Sequence, residues 1–296
     1  MTTKRTESPA RAPDSPLDYD AVVVGGGASG LSAAVFLARF GFETAVFARG
    51  ASAIEQCAHL ENYLGFPGGI SPERFLALGR AHVREEGATL REELVERVER
   101  VEGGGDEERF EVETADGTEV TTPRVIAATA YDGDPFESLS VDALEPDPFV
   151  GTDDGRTPLL GFYACGWMTS ETAHQAVINA GHGARTALSV IRDDLRDRYW
   201  DAVADRYVDW VVDENRYGGD GWAEGVDEWF DRDMLPTDAD GATVADARAD
   251  LKAEFLGRCL PEDERLRRER RGQRLLLEHL DDELIREYAA ELETDT

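Results

Sequence analysis

Three glycines, Gly25, Gly27 and Gly30, stand between an apolar run, Ala-Val-Val-Val (21–24), and an apolar stretch over residues 31–40 that stops at Gly41. This Gly-x-Gly-x-x-Gly spacing, placed between a strand and a helix, is suited to receiving a phosphate. Gly25 permits the tight turn, Gly27 lets the backbone approach a pyrophosphate, and Gly30 lets helix and strand pack closely. Ala28 and Ser29 complete the loop. The unpaired amides of the first helical turn then face the phosphates, with the positive end of the helix dipole behind them. With Glu-Thr-Ala-Val-Phe-Ala (43–48) as the next strand, the segment reads as the βαβ unit of a dinucleotide-binding fold. One element departs from that pattern. An acid usually ends the second strand and binds the adenosine ribose, but here the strand runs Phe47-Ala48-Arg49-Gly50. Glu43, at the strand's start, cannot substitute. Arg49 reads either as a phosphate contact or as a solvated side chain.

The elements around this loop follow from periodicity and punctuation. Residues 21–24 are continuously apolar, as a strand buried on both faces of a parallel sheet must be. Residues 72–87 predict a helix with Pro72 in its first turn. Residues 108–129 predict two alternating strands around Asp116-Gly117, followed by a buried strand. Residues 131–158, rich in Asp, Pro and Gly, predict loop. Phe162–Cys165 predicts another strand, and residues 171–191 predict a helix with small residues on one face. The first 17 residues read as a disordered Pro/Ser/Arg tail without the apolar core of a secretory signal. The expected organisation is a tail over 1–17, a dinucleotide domain over 18–191 and a helical region over 192–296.

Composition sets outer bounds. The chain has 296 residues, 62 acidic against 31 basic, for a formal charge of −31, and its only lysines are Lys4 and Lys252. Such a surface repels phosphates, so nucleic acid and anionic membranes are not expected partners. It suits a cytoplasm of very high salt, where like charges are screened within ~3 Å. The three cysteines, Cys57, Cys165 and Cys259, form no CxxC, and the five histidines show no metal spacing. No metal site is expected, and no apolar run is long enough for a membrane span.

The stretch Cys57–Leu90 cannot be derived from periodicity. It resembles the thioredoxin reductase-like flavoproteins, through Gln56, Glu61, Asn62, Gly65, Phe66, Pro67, Gly69, Ile70 and Ser71. Residues 149–167 resemble the same family's Thr-Asp…Arg-Thr…Gly-x-Tyr-Ala-x-Gly-Asp, and residues 175–187 its Gln-Ala-Val…Ala-Gly-x-Gly-Ala. The resemblance implies FAD, bound in an α/β Rossmann-like domain whose parallel sheet carries an added antiparallel strand layer, followed by an α-helical extension. It implies that the Gly25–Gly30 loop holds the pyrophosphate and that Gln56 and Asn62 lie beside the isoalloxazine or ribityl chain. Val95 would pack near the adenine, while Ala128 and Thr129 line the site behind the loop. Gly166 and Trp167 would form the turn at the ribityl–phosphate end. Gln175, Ala176 and Val177 would begin a helix whose amides face the flavin N1–C2=O edge, where reduced flavin carries negative charge.

Two departures from the family matter. The family has an aspartate where this chain has Trp167, and an indole N–H only donates. Trp167 therefore implies either altered FAD binding, the reading taken here, or a site in which binding has decayed. The family also carries a second Rossmann domain, for NADPH. Here about 30 residues separate Thr129 from Gly161, where such a domain needs on the order of 100. Its glycine motif and redox CxxC are absent from the sequence, so NAD(P)H enters only as a diffusible donor.

Cys57, beside Gln56, is expected as a small core residue, with contact to the flavin as the sharper alternative. Cys165 is expected in packing. His59 and His174 flank the presumed flavin region, as proton shuttles or as polar contacts. In the C-terminal region Tyr199, Trp200, Val203, Tyr207 and Trp210-Val211 fall near helical spacing, predicting an apolar face that docks on the FAD domain or covers it as a lid. Residues 264–274, basic but interleaved with glutamate, predict a solvated, salt-bridged helix.

The function this reading supports is FAD-dependent redox chemistry without thioredoxin-disulfide reduction. The alternatives are a non-catalytic flavin- or nucleotide-binding module, and a fold remnant acting through its helices. The redox partner is left open, and a homodimer is compatible with the sequence.

Overall fold

Continuous β-branched runs become the centre of the first sheet. In the computed structural model, Ala21–Val24 (β2) has all four residues buried and pairs in parallel with Thr44–Phe47 (β3) and Val125–Ala127 (β8). Thr89–Arg91 (β4) and Phe162–Ala164 (β9) complete a five-stranded parallel sheet in the order β4-β3-β2-β8-β9. A fully buried Val or Phe side chain contributes roughly 1.5–3 kcal/mol, so these strands anchor the fold. A second sheet has the order β1-β7-β6-β5, with β1 at Leu17–Asp18, β5 at Val95–Glu102, β6 at Glu108–Thr114 and β7 at Glu119–Thr122. β5, β6 and β7 pair antiparallel, and β1 joins β7 in parallel. This is the added antiparallel layer.

The structure describes residues 17–50, 52–102, 108–130, 132–139, 154–213, 220–235 and 241–294, which form two compact units divided between Leu195 and Arg196. In the first unit, helix α1 (Ala28–Phe40) ends at Gly41, which adopts φ 101°. Helix α2 (Pro72–Glu85) starts with the Ser71 hydroxyl accepting from the Arg74 amide. Helix α3 runs from Ala176 to Arg198. The helix therefore starts later and ends later than the 171–191 expected, because its buried stripe continues through Ile191 to Leu195.

Two other expectations are corrected. The tail expected over 1–17 lies outside the described residues through 16, but Leu17 is in a strand. It pairs with Val120 and packs on the core. The loop expected over 131–158 falls outside the described residues at 131 and 140–153. Within it, Asp134–Leu139 forms a 3₁₀ turn that buries Phe136 completely. The expected helical C-terminal extension is present, with one short strand pair added to it.

That second unit contains α4 (Asp201–Asp205), α5 (Asp220–Asp233), α6 (Gly241–Gly257), α7 (Glu262–Leu277) and α8 (Asp282–Thr294). It also holds a short parallel pair, β10 (Val212–Asp213) with β11 (Cys259–Leu260). Its core gathers Val203, Phe230, Met234, Ala247 and Leu251, with Tyr199, Trp200 and Trp229 packed against them. The Trp200 indole donates to the Met234 carbonyl at 2.7 Å. Trp210 and Val211 remain about half exposed, outside this core. On α7, Arg265 pairs with Glu262 and Glu269, and Arg268 with Glu264.

Candidate functional site

The first unit contains a cleft of about 670 Å³, a size suited to a cofactor. Its floor is the glycine turn. Gly25, with φ 122°, sits where a Cβ would lie 2.3 Å from the Ala128 carbonyl oxygen. A Cβ at Gly30 would lie 2.0 Å from the Gly25 oxygen. Packing of strand, turn and helix therefore requires glycine at both positions. Gly27 is the N-cap of α1 and provides no side-chain cap, and the helix has no acid in its first turn. The first-turn amides of Gly27, Ala28 and Ser29 are consequently left for a ligand in the cleft, where the dipole favours an anion.

The opposite wall comes from two distant segments. The 3₁₀ turn Ala53–Gln56 is opened by a capping box in which Ser52 and Glu55 hold each other's backbone amides. It leads into Gln56, Cys57, His59 and Asn62, all of which line the cleft. The Asn62 side-chain amide donates to the Gln175 Oε1 at 2.6 Å, tying this loop to the start of α3. Gln175, Ala176 and Asn179 line the same cleft, so the N-termini of two helices converge on one cavity. Asn179 donates its side-chain N–H to the Gln175 carbonyl, while its buried Oδ1 has no partner.

Trp167 occupies the third wall, stacked on His174 with ring centroids 4.2 Å apart and an interplanar angle of 35°. Its turn is clamped from behind. The Gly166 amide donates to His182 Nδ1 at 3.2 Å, and Thr169 Oγ1 donates to the Gly166 carbonyl at 2.8 Å. Gly166 itself has φ 64°, and a Cβ there would lie 2.7 Å from Ser29 Oγ. Val95 and Thr129 close the remaining sides with Ala128.

Of the residues singled out from sequence, Gly25, Gly27, Ala28, Ser29, Gln56, Asn62, Val95, Thr129, Trp167, Gln175 and Ala176 line this one cleft. Gly30 and Gly166 do not line it. They lie beneath it, where their missing Cβ atoms allow close approach to Gly25 and Ser29. Cys57 is exposed at the cleft, not in the core as expected, because it follows the last residue of the 3₁₀ turn and faces the opening. Cys165 is fully buried, and burial pushes its thiol up to about 12, with a Ser29 hydrogen bond opposing. Arg49 lines the cleft but pairs with Asp116 at 2.9 Å on an exposed rim. His59 contacts the Gly68 carbonyl oxygen at 3.2 Å.

Sequence reasoning missed Ser52, Arg80, Glu93 and Asn179, which also line the cleft. The Ser-x-x-Glu signature at Ser52–Glu55 was available. No sequence signal marked the other three. Hydrogen bonds from Thr118 and Arg91 hold the Glu93 carboxyl below its usual range. Among the described residues no group of three or more His, Cys, Asp and Glu could hold a metal, and no helix is long and apolar enough to cross a membrane.

Comparison with known proteins bears on the fold and the cofactor. Residues 20–59 match the family model described as an FAD binding domain. The fold is similar to thioredoxin reductase from Gloeobacter violaceus, at 18% identity over 60% of this chain and 95% of that chain, with a TM-score of 0.50. It is similar to that from Giardia duodenalis, at 14% identity over 60% and 98%, with a TM-score of 0.51. It is also similar to that from T. acidophilum, at 19% identity over 60% and 99%, with a TM-score of 0.50. No curated protein matches the sequence. The uncapped glycine turn, the unpartnered Asn179 oxygen and the size of the cleft all suit FAD. The first unit therefore carries the FAD-binding, Rossmann-like fold of the thioredoxin reductase-like oxidoreductases.

Proposed function

We propose that this protein is an FAD-dependent oxidoreductase that does not reduce thioredoxin disulfide. The observation that supports it most is the convergence of two helix N-termini on one cleft, one at the glycine turn and one at the Asn62–Gln175 pair. When bound, FAD supplies two-electron hydride chemistry. The chain's own groups bind and orient it. The α1 amides take the pyrophosphate, Asn62 and Gln175 fix the flavin end, and the α3 N-terminus favours negative charge beside it. The Trp167–His174 stack forms one wall. With no CxxC in the sequence, dithiol–disulfide exchange has no internal partner. Electrons then come from a diffusible nicotinamide, another protein or the substrate. The acidic surface supports a working environment of concentrated salt in the cytoplasm, and no nucleic-acid or membrane partner.

Protein purified in concentrated KCl should be yellow, with flavin absorbance, and anaerobic NADH or NADPH should bleach it. A second reading, a flavin-binding module without turnover, is favoured by the missing nicotinamide domain and dithiol. Retained flavin that no donor reduces would select it. Colourless protein that takes up no added FAD would leave only a fold remnant acting through its helices.

A further inference from the structure

Arg80 lies on α2 at the spacing of that helix's buried stripe, four residues after Leu76 and three before Val83, both of which are buried. A charged residue on a core-facing stripe is costly unless something pairs with it. The Arg80 Nε is buried and has no hydrogen-bond partner. Among the described residues no carboxylate pairs with Arg80, although the chain has 62 acidic residues against 31 basic. Arg91, whose Nε is likewise buried without a partner, pairs through Nη1 with Glu93 and donates from Nη2 to the Tyr19 hydroxyl. Arg80 also lines the cleft.

Its position along the cleft follows from its neighbour. A Cβ at Gly79 would lie 2.9 Å from Leu31 Cδ1, so α2 touches α1 at the end of its first turn. Arg80 is the next residue. It lines the same cleft as Gly27, Ala28 and Ser29, whose amides α1 leaves unclaimed.

We propose that Arg80 is a phosphate-binding residue. It donates charge-assisted hydrogen bonds to the pyrophosphate of the dinucleotide and complements the α1 amides from the α2 side. The assignment rests on the dinucleotide reading of the cleft and adds to it a residue outside the glycine motif. It also explains why an acidic chain keeps one cation unpaired here. A carboxylate paired with Arg80 would neutralise the guanidinium, whereas Glu93, which also lines the cleft, is paired with Arg91.

The test compares Arg80→Leu and Arg80→Lys with the parent in KCl of fixed concentration, measuring binding of FAD, ADP, inorganic pyrophosphate and riboflavin. Arg80→Leu should weaken FAD, ADP and pyrophosphate about tenfold to a hundredfold and leave riboflavin, which has no phosphate, unchanged. Arg80→Lys should recover part of the loss. The ligand-free Arg80→Leu protein should melt no lower than the parent, because a partly buried charge without a carboxylate partner has been removed, while the stabilisation by FAD shrinks. Equal weakening of FAD and riboflavin, or no change in either, overturns the assignment. So does a ligand-free Arg80→Leu protein that fails to fold while Arg80→Lys binds phosphates no better than it. A parent that binds ADP but no flavin refutes the proposed function and leaves the assignment of Arg80 standing. A parent that binds none of the four refutes both.

Discussion

In the first unit Val22, Val23 and Val46 have no exposed surface and lie in strands paired on both sides. In the second, Val203, Phe230, Met234, Ala247 and Leu251 supply the buried core, and α7 and α8 bury no residue at all. One unit is organised from its interior, where a backbone ladder fixes the glycine turn to within the width of a Cβ. The other is organised largely by its surface, with i,i+3 and i,i+4 ion pairs such as Arg265–Glu262 and Arg268–Glu264 along exposed helices. Exposed pairs of that kind contribute only ~0.3–0.5 kcal/mol each. The binding cleft lies in the unit whose geometry the interior determines. A site that must hold a cofactor needs such a scaffold.

The sharpest way to break this contrast is a matched core truncation. Phe136 and Phe230 are both fully buried, one in each unit. Replacing either with Ala should cost about 3–5 kcal/mol. Two calorimetric transitions are expected, with Phe136→Ala lowering only the one that FAD shifts and Phe230→Ala only the other. A single transition lowered equally by both would dissolve the distinction.

Thiol labelling gives the next largest effect. Cys57 is exposed, Cys259 is partly buried and Cys165 is fully buried with its thiol pushed up to about 12. Iodoacetamide should modify Cys57 first and Cys259 more slowly. Cys165 should react at least about a thousandfold more slowly than Cys57, since it waits for the first unit to open. FAD should protect Cys57 and leave Cys259 unaffected. Asn62→Ala comes next. It removes the bond to Gln175 and should weaken flavin binding about tenfold, with an altered flavin spectrum and no change in the second unit's transition. An unchanged spectrum and affinity would count against Asn62. The smallest effect is expected at Leu284, which is 57% exposed on α8. Leu284→Ser should change stability by no more than about 0.5 kcal/mol. A larger loss, read by calorimetry, would show that the face is covered.

Much of the first unit was legible because its signals are local. The apolar run at 21–24 allows little but a buried strand, and Gly41 closes α1 in the left-handed conformation the sequence predicts. The strand Val95–Glu102 was not anticipated, and the reason is physical. Its valines recur every third residue, at 95, 98 and 101, which fits neither a period of 2 nor one of 3.6. A register shift between Val95 and Arg97 resets the alternation, so that Val95 and Val98 are both buried. Within the site, the glycine turn and the Gln56, Asn62 and Gln175 positions could be named from sequence. Arg80 could not. On a helical wheel it reads as an ordinary misfit in an apolar stripe, and only the missing partner gives it meaning. Cys57 was misplaced for a related reason, since cysteine's general tendency toward burial carries no information about which way a turn opens.

The close approach of α3 to α1 has a temporal consequence. A Cβ at Gly183 would lie 2.0 Å from the Ser29 oxygen, so the helix laid down late in the unit presses directly on the turn laid down first. On the ribosome, Gly25–Ser29 emerges long before Gly166, His182 and Gly183 exist to brace it. The nascent chain thus carries a half-built receptacle through most of its synthesis. Cofactor loading has to wait until the third helix has emerged and docked.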